Sequence, residues 1–182
     1  MTTPICKVPW VTIQLAGNGD IKPCCVYKSG GPSIHQGDTL DSVWKDLDKL
    51  RQDFLDGKKP EACQACWKRE ETLGTSRRMW YDNKIENWPE QYTLNPEMKL
   101  RHMDLNFGNV CNLICRMCGS WGSTTWFKED KKLMDIDPAY QRQISNLTPT
   151  MIPAEYWADK KELFQSLERI DFKGGEPLMQ EG

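Results

Sequence analysis

Three thiols in one short run, Cys111-Asn112-Leu113-Ile114-Cys115-Arg116-Met117-Cys118, constrain this chain more than any other feature. Three thiolates do not complete a tetrahedral structural zinc site, and they leave a four-iron cluster one iron short of protein ligands. An iron open in this way is a place to bind and activate a small molecule. Near the other end stands Gly174-Gly175-Glu176-Pro177. Its two glycines lack a Cβ, so backbone there can approach a ligand closely.

Eight cysteines are present: the triad, a group formed by Cys6, Cys24, Cys63 and Cys66, and Cys25. An even count also suits a disulfide framework, which needs an oxidising compartment. The start, Met-Thr-Thr-Pro-Ile-Cys, has no basic segment followed by an apolar run. No stretch approaches the roughly 20 apolar residues of a membrane span. A cytoplasmic chain with reduced thiols is therefore expected, with metal or cluster ligation as their use. The net charge of −2 argues against a partner bound mainly through phosphates, so no extensive nucleic-acid surface and no membrane partner are expected.

The patterning divides the chain into residues 1–73, a connector at 74–98 and a second unit at 99–182. Residues 8–27 read as a hairpin turned by Gly17-Asn18-Gly19-Asp20, with Cys24 on its return strand beside Pro23. A loop follows at Ser29-Gly30-Gly31-Pro32. Residues 39–56 read as a helix, since Leu40, Val43, Trp44, Leu47, Leu50 and Phe54 share one face; Asp38 or Thr39 starts it and Gly57 stops it. Cys63 and Cys66 open a further helix, where a helix N-terminus would lower a thiol pKa. Adjacent strand residues face opposite ways, so one of Cys24 and Cys25 should ligate, with Cys24 the first choice.

In the second unit, residues 99–107 alternate as a strand, with Met103, Leu105 and Phe107 on one face and His102, Asp104 and Asn106 on the other. The polar set, together with Lys173, either faces an interior or lies on a surface edge. The cysteine loop follows at the strand's carboxyl end, where parallel α/β folds keep their active sites. Helices are expected at about residues 124–134 and 153–167. Arg169-Ile170-Asp171-Phe172-Lys173 alternates again and runs into Gly174.

The triad spacing and the later Gly-Gly-Glu-Pro together resemble the radical S-adenosylmethionine (radical SAM) enzymes. Residues 5–72 resemble the twitch domain, the shorter relative of the SPASM domain. The features that carry this second likeness are the Pro23-Cys24 pair, the Trp44 helix and Cys63-Gln64-Ala65-Cys66. The fold class implied is α/β: a small α+β cluster-binding domain, hairpin plus helices, then the first β-α-β portion of a partial TIM-like barrel. The resemblance implies a [4Fe-4S] cluster on Cys111, Cys115 and Cys118, with S-adenosyl-L-methionine on the open iron. Met117 and Gly174, Gly175, Glu176 and Pro177 would contact that cofactor. A second, auxiliary [4Fe-4S] cluster would sit on Cys6, Cys24, Cys63 and Cys66.

The activity implied is reductive cleavage of S-adenosylmethionine to a 5′-deoxyadenosyl radical, which abstracts hydrogen from a small-molecule, peptide or nucleoside substrate. An electron donor such as flavodoxin or ferredoxin is the partner expected. Other readings stand beside this one. They are a zinc-stabilised four-cysteine binding module without catalysis, an inactive cluster-binding remnant, and, more weakly, a thioredoxin-type pair at Cys63 and Cys66. Only two strands of the second sheet are visible after residue 98. The chain is thus expected to be a fragment or half of a split enzyme, lacking a C-terminal half and inactive alone.

Overall fold

A computed structural model describes residues 4–28, 32–137, 140 and 150–179. Most of the Ser29-Gly30-Gly31-Pro32 loop lies outside the described residues. Strands β1 (Thr12–Leu15), β2 (Ile21–Lys22), β3 (His102–Asn106) and β4 (Arg169–Lys173) form one sheet in the order β2-β1-β3-β4. β1 and β2 are the expected hairpin, paired Gln14 to Lys22 and Leu15 to Ile21. The return strand stops at Lys22, because Pro23 has no N–H to extend the ladder. Cys24 therefore lies in the bend after β2 rather than on a strand.

β1 also runs parallel to β3, with Ile13 opposite Met103 and Leu15 opposite Leu105, and β3 runs parallel to β4. The hairpin and the second unit thus share one sheet and one core. β3 has a neighbour on each side, where the sequence reading left it short of partners. No barrel is formed by these four strands.

Burial does not alternate: β1 is buried at Thr12, Ile13 and Leu15 and β3 from His102 to Leu105, so both faces of these two strands are covered. Ile13, Leu15, Met103 and Leu105 are all buried and join Leu40, Val43, Trp44, Leu50 and Phe54 in the core. The expected 39–56 helix is two pieces, α1 (Leu40–Asp46) and α2 (Asp48–Leu55), meeting at Leu47. Thr39 and Ser42 form a reciprocal capping box at the start. Gly57 follows the end of α2 at φ +73°, a left-handed position suited to glycine.

Arg51, on α2, is fully buried yet well satisfied. It donates to the Pro9 carbonyl from Nε at 3.1 Å and Nη2 at 2.9 Å, and to the Trp44 carbonyl from Nη1 at 2.7 Å. Asp48 balances its charge at 2.9 Å. Removing it strands two buried carbonyls. Arg51→Met is expected to cost roughly 2–5 kcal/mol in denaturant unfolding. A loss below about 1 kcal/mol would show that the guanidinium is not a fastening.

The tryptophans also fasten. Trp10 Nε1 donates to the Thr93 carbonyl and Trp44 Nε1 to the Pro96 carbonyl, both at 2.8 Å, strapping the connector onto the core. Two more helices lie beyond Gly57: α3 (Gln64–Leu73) and α4 (Arg77–Asp82). α5 (Phe127–Ile136) continues a 3-10 turn at Thr124–Trp126, close to expectation.

The helix expected at residues 153–167 is instead two 3-10 turns, Ala154–Trp157 and Lys161–Phe164. Its apolar residues Tyr156, Trp157 and Phe164 are aromatic and weak helix formers. Packing of these rings on one another and on the core decides the path. Among the described residues, no helix is long and apolar enough to cross a membrane.

Candidate functional site

Cys6, Cys24, Cys63 and Cys66 line one small cavity of about 30 Å³. Each arrives by a different route. Cys6 precedes the 3-10 turn Val8–Trp10 that leads into β1, and Cys24 follows β2. Antiparallel pairing thereby brings the entrance and the exit of the hairpin to the same end. Lys28 N donates to the Ala62 carbonyl at 2.9 Å, holding the stretch after Cys24 against the turn that carries Cys63. Cys63 ends the 3-10 turn Glu61–Cys63, and Cys66 is buried in the first turn of α3. Val8, Val26, Tyr27, Phe54, Trp67 and Tyr81 supply apolar wall, and Arg77 and Arg78 complete the lining. Cys25 is not among these wall residues.

Burial pushes the Cys6 thiol well up, against a backbone hydrogen bond from Val8 that favours the thiolate. Burial likewise pushes Cys24 up to about 12, opposed by a backbone hydrogen bond from Val26. Cys63 is also pushed up to about 12 by burial, so the lowering expected from its place at the start of α3 is outweighed. The neighbouring thiols add to each of these shifts. A thiolate in this cavity needs a cation beside it, and a thiolate-bound metal group supplies one. Among the described residues, no three ligand side chains close on a single-ion position. The four thiols line one cavity together.

The triad sits in a loop whose base is well tied. Asn109 is buried, donates to the Ser120 carbonyl at 3.1 Å and accepts from Thr150 N at 2.8 Å. The Cys111 carbonyl accepts from Thr125 Oγ1 at 2.7 Å, and Ser123 Oγ donates to the Leu113 carbonyl at 2.7 Å. Ser120, given no role from sequence, donates its hydroxyl to buried Asp130 at the start of α5. The loop's tip faces outward. Cys111 is buried, Cys118 half-buried and Cys115 exposed, and Met117 is 95% exposed. Leu113 N donates to Cys111 Sγ at 3.4 Å, the same two-residue step seen at Cys6 and Cys24.

Gly174, Gly175, Glu176 and Pro177 follow β4, directly beside this loop. Gly175 N donates to the Gly108 carbonyl at 2.8 Å and Glu176 N to the Val110 carbonyl at 2.9 Å. A Cβ on Gly175 would stand 2.2 Å from the Val110 carbonyl oxygen. One on Gly174 would meet the Gly108 carbonyl oxygen at 2.5 Å and Asn106 Oδ1 at 2.6 Å. The missing side chains thus admit the neighbouring loop's backbone. The turn after β1 joins in: a Cβ on Gly17 would stand 2.6 Å from the same Asn106 Oδ1 and 2.9 Å from Gly108 Cα. Glu176 Oε1 accepts from Leu178 N at 3.2 Å.

The polar face of β3 is interior, whereas β4 is an edge of the sheet and its Asp171 and Lys173 are half-buried. His102 and Asp104 are buried, and Lys173 pairs with Asp104. Tyr81 and Trp80 of α4 meet the His102 ring edge-on, at 5.1 and 6.1 Å between centroids. His102 Nε2 lies 3.3 Å from Asp171 Oδ2, and burial lowers the His102 pKa against the pull of that carboxylate. Arg77 reaches the same Asp171 oxygen at 3.5 Å. One arginine therefore touches both the thiol-lined cavity and the buried polar row. Sequence reasoning missed Arg77, Tyr81 and Asn109. Nothing in the local pattern around these three marks a site.

Residues 6–67 match the family model SPASM, an iron-sulfur cluster-binding domain. The match begins at Cys6 and ends one residue after Cys66, so it spans all four cavity thiols and none of the triad. The match supports a domain of the SPASM or twitch type over that stretch; domains of this type bind iron–sulfur clusters and are typical of radical SAM proteins. No curated protein and no solved structure matches the chain.

Proposed function

We propose that this chain is the cofactor-binding portion of a radical SAM enzyme, carrying two [4Fe-4S] clusters. Cys6, Cys24, Cys63 and Cys66 would hold the auxiliary cluster, and Cys111, Cys115 and Cys118 the other. The observation that carries the reading is the junction of the two motifs. The triad loop and the Gly174–Pro177 segment leave adjacent parallel strands at their carboxyl ends and are hydrogen-bonded to each other. Open α/β sheets bind their ligands at that rim.

When bound, a cluster with one open iron supplies a one-electron reductant for the sulfonium of S-adenosylmethionine. The chain's own residues have separate tasks. The ties at Asn109, Ser123 and Thr125 fix the base of the triad loop while Cys115 and Cys118 stay accessible for assembly. Carbonyls and the Glu176 carboxylate of the segment after β4 offer acceptors for an ammonium group. By resemblance to the family, the Met117 backbone would contact the adenine. The electron would come from a donor such as flavodoxin or ferredoxin.

Protein purified without oxygen is expected to be brown and to hold two clusters' worth of iron and sulfide. Alanine at Cys111, Cys115 and Cys118 together should remove half of the iron and leave the rest. Unchanged iron and sulfide after the triple change would exclude the triad as ligands. Near-stoichiometric zinc with no labile sulfide would sink the whole reading in favour of a structural zinc module.

A further inference from the structure

The wall that α4 presents to the thiol cavity carries hydrogen-bond donors with nothing to donate to. Tyr81 is 1% exposed; its oxygen lies beside the Arg77 guanidinium, and its O–H has no acceptor of normal geometry among the described residues. The buried Nε atoms of Arg77 and Arg78 are in the same position. All three side chains line the cavity with the four thiols. A phenylalanine would fill the ring's place without burying an O–H that lacks an acceptor. Arginine offers donors only, so the missing partner is an acceptor. Neutral thiols accept weakly, whereas thiolate and sulfide sulfurs accept well from N–H and O–H groups.

The two arginines differ in how they are held. Arg78 is committed to Glu70 at 2.6 Å and to the Ile5 carbonyl at 3.0 Å. Arg77 has a longer link, 3.5 Å to Asp171, and that carboxylate is shared with Arg169 at 2.7 Å and with His102. Its guanidinium stacks on Trp80 at 3.8 Å, which fixes the plane without neutralising the charge. Arg77 therefore keeps positive charge available to the cavity.

We propose that Tyr81 and Arg77 are positioning residues that donate to the sulfur atoms of the group held by Cys6, Cys24, Cys63 and Cys66, and so raise its reduction potential. The proposal rests on the reading of that group as an iron–sulfur cluster. Reduction adds negative charge to the cluster, and donors and a cation beside its sulfurs favour the reduced form.

The test is a redox titration with dithionite, followed by electron paramagnetic resonance, on the full chain carrying alanine at Cys111, Cys115 and Cys118. That background leaves one cluster to read. Tyr81→Phe and Arg77→Gln are each expected to lower the reduced-to-oxidised ratio at fixed potential about tenfold, which is about 59 mV for one electron. Arg77→Lys keeps the charge and loses the Nε donor, so its shift should be smaller than that of Arg77→Gln. Midpoints equal to the parent's in both Tyr81→Phe and Arg77→Gln, with iron and sulfide intact, overturn the proposal. Loss of iron from Tyr81→Phe also overturns it, because a hydroxyl that only tunes is not needed for retention. Zinc without sulfide in the parent background overturns the cluster reading itself, and is seen before any variant is made.

Discussion

A chain cut after residue 98 is expected to lose its cooperative fold, although it retains all four cavity thiols. The cut removes β3, which pairs with β1 along Thr12 to Leu15. It also removes Leu100, Met103, Leu105 and Ile152 from the core, each at most 3% exposed. Burying one such side chain is worth roughly 1.5–3 kcal/mol, so four together rival the whole net stability of about 5–15 kcal/mol for a domain. The bared edge of β1 would then invite strand-to-strand association. Metal-free full-length and truncated chains, compared by thermal melts and gel filtration, decide this. A sharp transition in the truncated chain within a few degrees of the full-length one would show that the N-terminal unit stands without β3.

The second large effect separates two adjacent thiols. Cys24→Ala is expected to empty the N-terminal site of iron, and Cys25→Ala to leave it filled. Cys24 lines the cavity with Cys6, Cys63 and Cys66, whereas Cys25 is not among its wall residues. Loss of a direct ligand should exceed the roughly 10–100-fold cost typical of outer partners. Iron and sulfide measured in the background lacking the triad give the answer. Retention in Cys24→Ala with loss in Cys25→Ala would reverse the assignment.

Local pattern revealed the pieces of this fold better than their arrangement. The apolar steps from Leu40 to Phe54 announced α1 and α2, and Thr39 and Gly57 marked their ends, because caps and helical faces are written in neighbouring residues. Alternation revealed β1, β3 and β4 for the same reason. The parallel pairing of β1 with β3 joins residues about ninety positions apart, and nothing near either strand encodes its partner. The four-thiol group was legible because cysteine is scarce and its uses are few. Its electrostatics were misjudged at Cys63, where helix position was visible and burial was not. Tyr81 and Arg77 stayed hidden, since only the folded chain brings α4 to the cavity.

The rim where Gly17, Gly108, Gly174 and Gly175 meet has a consequence for how such a chain can vary. Gly17 and Gly174 both crowd Asn106 and Gly108, so a methyl group added at either must displace the same atoms. Once one substitution has forced that shift, part of the strain of the other is already relieved. Their effects should therefore not add, as for other residues that share a partner. Three loops, far apart in sequence, would then have to change together or not at all.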